Sequence, residues 1–183
     1  MRTCRGIGCG MSYKYILNKV NQSASKYAVI CEDDVIFYDD FEKNISDVLS
    51  YLQQTNQRWY IFSGLIADVH PETEILAIEE YKGIEYIYIN RMTSTVMNIY
   101  SPEIMEIIQS WDQTNKDANT NTIDRYIESQ IDLVVVTTLP YLVGHAEDKV
   151  STLWGFLNTQ YSEMIEMSQT ILAEKVLEYK ARL

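Results

Sequence analysis

Apolar residues recur at helical spacing in some stretches of the chain and bunch into short unbroken runs in others. Met11, Ile16, Leu17 and Val20 predict a helix over Met11–Val20, behind a glycine-rich opening. Tyr27-Ala-Val-Ile-Cys31 is apolar without alternation, the pattern of a strand buried on both faces, and it runs directly into Glu32, Asp33 and Asp34. After Val35-Ile-Phe-Tyr38, the sequence Asp39-Asp-Phe-Glu42 offers a cap with a Glu three residues on. Phe41, Ile45, Val48, Leu49 and Leu52 then form a helical stripe. Trp59–Phe62, closed by Ser63-Gly64, predicts a buried strand, and Ile84–Asn90 and Thr95–Tyr100 predict a further pair. Ser101-Pro102 starts a helix through Trp111, with proline where its missing N–H is harmless. A polar stretch from Asp112 to Asn121 leads to a short helix, Thr122–Ile127, with Asp124 near its start. Asp132–Thr137 is the last strand, ended by Pro140. From Asn158 to Arg182 there is no Pro or Gly, and Tyr161, Met164, Ile165, Ile171, Leu172 and Val176 mark a long terminal helix.

Strands alternating with helices predict an α/β fold, a mostly parallel sheet flanked by helices, with the middle pair antiparallel. The 183 residues are read as one domain over 1–157 followed by a helix, 158–183, packed on that domain or on a second subunit, which would make a homo-oligomer. The terminal helix carries Glu163, Glu166, Glu174 and Glu178, whereas helices lying on membranes favour Lys and Arg.

Fifteen Lys and Arg against 26 Asp and Glu give a net charge of −11. That balance excludes broad phosphate-backbone contact, so no nucleic-acid partner is expected. No run approaches the ~18 apolar residues of a membrane span, and the first residues do not read as a secretory signal. Three cysteines, Cys4, Cys9 and Cys31, fit a reducing compartment, and the expected location is cytoplasmic. Cys4 and Cys9 would make half a zinc site, but no second Cys or His pair lies nearby and they are read as ordinary thiols.

In open α/β sheets ligands bind beyond the carboxyl ends of the strands, where Glu32, Asp33 and Asp34 fall. Adjacent carboxylates suit a hard cation, Mn²⁺ or Mg²⁺, which in turn holds a diphosphate. The plainer alternative is an acidic loop behind a buried strand.

Arg5-Gly-Ile-Gly-Cys-Gly-Met-Ser12 followed by a helix, and then Tyr27-Ala-Val-Ile-Cys-Glu-Asp-Asp-Val-Ile-Phe37, resembles glycosyltransferase family 25, the lipooligosaccharide-type sugar transferases. That family pairs a Gly-Cys-x-x-Ser-His segment opening a helix with a strand ending in Glu-Asp-Asp and a downstream aromatic. Gly8-Cys9-Gly-Met-Ser12 matches, with Tyr13 in the place of the His. The Thr93–Tyr100 strand, the Asp124 helix, Leu139-Pro140 and Val150-Ser-Thr-Leu-Trp-Gly155 follow in the family's order, so the resemblance spans residues 5–155.

The resemblance implies the A-type nucleotide-diphospho-sugar transferase fold, related to the Rossmann architecture. It implies a metal-dependent transfer from a nucleotide-diphospho-sugar donor to a carbohydrate acceptor of lipopolysaccharide type. Asp34 would be a metal ligand, Glu32 and Asp33 would position donor ribose or sugar, and Gly8 would lie on the donor side. Asp124 is the candidate base, the alternative being a first-turn carboxylate favoured by the helix dipole. His145 falls where A-type transferases often supply a further metal ligand; a solvated loop histidine is the alternative, and Asp148 carries the same ambiguity. Arg5 and Arg91 would contact diphosphate or else pair with surface acids. Trp59, Tyr60 and Phe62 belong to a core strand, His70 ahead of Pro71 to a turn, and Tyr81, Tyr86 and Tyr88 are placed to stack an acceptor sugar. Family members begin with a further strand and helix ahead of the Gly-Cys segment. A second reading is therefore a non-catalytic, shortened transferase fold that binds a ligand or partner. A third, sugar transfer to modified DNA bases, is opposed by the charge.

Overall fold

The computed structural model describes residues 2–23, 25–117, 119–146 and 159–183, with backbone alone for residues 2–6, 159 and 160. In chain order the elements are α1 (Arg2–Asn21), β1 (Ala28–Cys31), β2 (Val35–Phe37), α2 (Phe41–Gln54), β3 (Ile61–Ser63), β4 (Ile75–Tyr81) and β5 (Ile84–Ile89). There follow β6 (Met97–Tyr100), α3 (Pro102–Gln109), α4 (Ile123–Glu128), β7 (Val135–Thr138), β8 (Val143–His145) and α5 (Thr159–Lys180).

Six strands form one sheet in the order β1-β6-β3-β7-β5-β4. Only β3 and β7 run parallel; β1–β6, β6–β3, β7–β5 and β5–β4 are antiparallel. The expected mostly parallel sheet is thus corrected to a mostly antiparallel one, and β5 and β6, expected as a pair, are not neighbours. The unbroken apolar runs were read as burial on both faces, which holds for β3 and β7 but is corrected for β1, an edge strand with Val29 and Cys31 exposed; burial in any case carries no information on strand direction. Direction was written instead at Lys82-Gly83, where φ of 52° and 78° at successive residues fits the primed turn that folds β4 back on β5. β4 itself escapes a hydrophobic reading because it is an edge strand whose residues are half-buried or exposed.

β2 and β8 form a separate two-stranded ribbon, pairing Val35 with His145, Ile36 with Gly144 and Phe37 with Val143. Each strand has three residues, too few to show a period.

The glycine-rich opening is helical and belongs to α1. At Gly10 a Cβ would lie 2.5 Å from the Trp111 ring, so the glycine exists for close approach. Trp111 is fully buried at the end of α3, its indole N–H donating to the Asn121 carbonyl at 3.0 Å, and the Lys14 ammonium donates to the Trp111 carbonyl at 2.9 Å. These contacts lock α1 against α3 and the segment leading to α4. At α2 the expected side-chain cap is absent: Asp40 occupies the N-cap without a capping hydrogen bond. At α3 Ser101 caps the Ile104 N–H and Pro102 sits in the first turn, as expected.

α5 lies along its own chain. Ile165, Leu172 and Val176 enter the core, and the Ser168 hydroxyl donates to the Ile66 carbonyl at 2.7 Å and meets the Tyr141 hydroxyl at 2.8 Å. Among the described residues no helix is long and apolar enough to cross a membrane.

Gly10→Ala drives a methyl into the indole, and overpacking of this kind destabilises by about 1–3 kcal/mol. Urea denaturation should show the midpoint falling accordingly; an unchanged midpoint would contradict the Trp111 seat against α1.

Candidate functional site

The ladder between β1 and β6 continues one residue beyond β1, where the Glu32 N–H donates to the Val96 carbonyl at 2.9 Å. This carries the Glu32 carboxyl to the strand's end, where the Thr95 hydroxyl donates to it in a short hydrogen bond. Burial pushes the Glu32 pKa up; the Thr95 bond opposes the rise, and the charges of Asp34, Asp124 and Asp33 add to it. Cys9, on α1, is raised to about 11, by burial first and then by Glu32 and Asp124. Residues far apart in sequence, on α1, at the β1 end and in the first turn of α4, therefore share one electrostatic neighbourhood. The structure brings together Glu32 and Asp124, both anticipated, and adds Cys9 and Thr95, which sequence reasoning passed over. Cys9 had a signal: it stands four residues before Tyr13, on the same face of α1.

Tyr13, in the place of the family's histidine, is a core residue. It receives a hydrogen bond from the Tyr100 hydroxyl at 3.3 Å and meets that ring edge-on at 5.9 Å. Asn98 Nδ2 donates in turn to the Tyr100 hydroxyl at 3.0 Å. Burial raises both tyrosines well above the ordinary phenol range, so this buried chain is neutral.

Beyond Glu32 the backbone turns through Asp33 and Asp34 into β2, and the Ala146 N–H donates to the Asp34 carbonyl at 2.8 Å. Because Val35 pairs with His145, the preceding Asp34 reaches across, and its Oδ2 lies 3.2 Å from His145 Nε2. The His145 side chain is 6% exposed and its Nδ1 is buried without a hydrogen-bond partner among the described residues, with the Tyr161 ring at 5.4 Å. The reading of His145 as a solvated loop residue is thereby overturned: β8, invisible in the sequence, buries it.

Other anticipated residues stand elsewhere. Arg91 is engaged by Glu72 at 3.0 Å, His70 Nδ1 at 3.1 Å and Glu128 at 4.0 Å. His70 Nδ1 also accepts the Glu72 N–H at 3.2 Å, the turn chemistry expected of it. Gly8 is exposed on α1, and a Cβ there would meet nothing within 4 Å. The Arg5 side chain, Asp148 and the Val150–Gly155 segment lie outside the described residues. Tyr86 and Tyr88 are corrected from acceptor-stacking to core: Tyr86 stacks on Tyr51 at 3.7 Å, and the Tyr88 hydroxyl meets that of Tyr51 at 2.5 Å. Tyr81 leans on the same Tyr51 ring at 5.8 Å.

Two ligands of one small cation stand about 3 Å apart, since each lies ~2.1 Å from the ion at about a right angle. The Asp34–His145 separation fits, and imidazole with carboxylate is a donor set suited to Mn²⁺. Among the described residues no group of three or more His, Cys, Asp or Glu is gathered to hold a metal.

Half-buried carboxylates behind a strand, one of them shifted by burial and like charge, beside a histidine–carboxylate pair, mark a candidate functional site. The model of glycosyltransferase family 25 (LPS biosynthesis protein) matches residues 3–106, more than half of the chain, and the protein belongs to that family. The match takes in Cys9, Glu32, Asp33, Asp34 and Thr95, while Asp124 and His145 lie past its end. No curated protein matches the chain.

A carboxyl whose folded pKa lies above its unfolded one holds its proton more tightly in the native state. Its contribution to stability is therefore largest in acid and falls as pH rises through the window between the two values. Glu32→Gln keeps an acceptor for Thr95 and removes the buried charge. With EDTA present, the variant should melt above the wild type at pH 7, with the gap closing towards pH 4. A gap that is constant or widens in acid would contradict the burial of this carboxylate.

Proposed function

We propose that the protein transfers a sugar from a nucleotide-diphosphate donor to a carbohydrate acceptor, with Mn²⁺ or Mg²⁺ held by Asp34 and His145. The observation that carries this reading is the 3.2 Å approach of those two side chains directly beside the Glu32–Asp124 cluster, in a chain of a glycosyltransferase family. The bound cation supplies positive charge to the diphosphate as it leaves.

The protein's own groups do the rest. Glu32, held by Thr95, and Asp33 accept hydrogen bonds from donor ribose or sugar hydroxyls, and Gly8 leaves room for the donor to approach α1. Arg5 is assigned to the diphosphate. Arg91, braced on Glu128 of α4 together with Arg125, is assigned to holding that helix in place, in preference to the donor contact first expected of it. As the acceptor oxygen bonds to the anomeric carbon and the bond to diphosphate breaks, Asp124 takes the hydroxyl proton. Cytoplasmic placement belongs to the same reading.

A second reading, a binding module without turnover, is favoured by the absence of a three-residue metal cluster among the described residues. A thermal-shift titration with UDP, GDP, CMP and their sugars, with Mn²⁺ or with EDTA, separates the two. A ligand at 100 times its Kd stabilises by about 2.7 kcal/mol, a rise of roughly 5–10 °C for a chain of this size. One nucleotide class should give such a rise with Mn²⁺ alone, and Asp34→Asn should abolish it while leaving the unliganded melting temperature close to the wild type's. A shift indifferent to EDTA or retained in Asp34→Asn would refute the metal assignment; no shift with any nucleotide would favour the binding module.

A further inference from the structure

With Tyr86 and Tyr88 in the core and Tyr81 against them, the aromatic surface available to a ligand lies elsewhere. Ile36, Phe37 and Tyr38 follow one another along and just beyond β2 and are 43, 49 and 49% exposed. Phe37 leans on Phe41 with ring centres 4.4 Å apart. Tyr38 lies across the β2–β8 ribbon over Gly144, where a Cβ would come within 2.8 Å of its hydroxyl and 3.3 Å of its ring. Gly144 has no positive φ, so its backbone suits any residue. A methyl at Gly144 would displace the Tyr38 ring from its place over the ribbon.

This face is continuous with the candidate centre. His145 pairs with Val35, Gly144 with Ile36 and Val143 with Phe37, so the aromatic face starts one register step from the Asp34–His145 pair. Two residues of strand separate Phe37 from Val35, about 7 Å. Asp33, Asp39 and Asp40, all exposed, flank the same segment.

We propose that Tyr38 over Gly144, with Ile36 on the same side of the ribbon, is the platform on which the acceptor saccharide stacks. The inference rests on the glycosyltransfer reading above. The C–H face of a pyranose packs on half-exposed aromatic rings, and its hydroxyls find acceptors in the surrounding carboxylates. Those carboxylates repel an anionic ligand or an anionic bilayer. Two half-exposed side chains also fall well short of the ~800 Å² per partner of a stable protein interface. A neutral polyhydroxyl ligand is the occupant that fits both the charge and the size.

The test is saturation-transfer NMR with lactose, methyl β-D-galactopyranoside and methyl β-D-glucopyranoside on the full chain, with the nucleoside diphosphate and Mn²⁺ thermal shift of the wild type read in parallel. At least one saccharide should take up saturation at its ring C–H protons. Tyr38→Ala should weaken its binding about tenfold, Gly144→Ala, which pushes the ring off the ribbon, should weaken it as well, and Tyr38→Phe should retain it. Gly144→Ala keeps the question open to refutation if Tyr38→Ala does not fold. Equal saccharide signals in wild type, Tyr38→Ala and Gly144→Ala, or none in the wild type while the nucleotide shift is present, would overturn the platform alone. Absence of both the shift and the saccharide signal would overturn the glycosyltransfer reading with it. A wild type that self-associates in sedimentation while Tyr38→Ala stays monomeric would make the face a contact between copies and also overturn the proposal.

Discussion

Strand β6 is hydrogen-bonded on both sides, to β1 along Ala28–Cys31 and to β3 along Ile61–Ser63, and all four of its residues are buried. A strand held this way cannot slip without breaking the ladders on both of its edges at once. Its register therefore sets where β1 ends, and so where Glu32 meets Val96 and Thr95. The same strand supplies Asn98 and Tyr100, whose contacts seat Tyr13 and hence the face of α1 that carries Cys9. The packing of α1 on α3 and α4 brings Asp124 into the same field.

The cluster so formed works against stability. Glu32 is held where burial and three neighbouring carboxylates disfavour its charge, with a single hydroxyl opposing them. Carboxyls whose charge is disfavoured by burial and by like neighbours are concentrated at sites that bind or react. The neutral chain Asn98–Tyr100–Tyr13 lies within the field of Glu32 without adding charge.

Much of this architecture was legible in the amino-acid sequence where periodicity is long. α2 and α5 were read from their apolar stripes, α3 from its Ser-Pro start, and β1, β3 and β7 from unbroken apolar runs. What was lost follows physical lines. Strand direction depends on pairing partners that a run of Val and Ile does not name, so the sheet was expected parallel. Three-residue strands carry no period, so the β2–β8 ribbon, and with it the burial of His145, was invisible. The glycines before Met11 suggested a loop, but Gly10 serves the approach of a tryptophan distant in sequence. The tyrosines of β5 looked like surface aromatics because the α2 residues that cover them, Tyr51 above all, belong to another segment. The Glu-Asp-Asp triplet was visible because it is local; the companions that give it chemistry arrive through the fold.

The account stands on the ribbon that sets Asp34 against His145 at the rim of that cluster. The direct measurement is the anomalous difference map, at the manganese edge, of crystals grown with Mn²⁺ and the nucleoside diphosphate that stabilises the protein. A single strong peak within coordination distance of both Asp34 Oδ2 and His145 Nε2, with diphosphate oxygens on its open side, is the result expected. Manganese bound elsewhere, with the Asp34–His145 contact intact and the diphosphate away from it, would contradict the account.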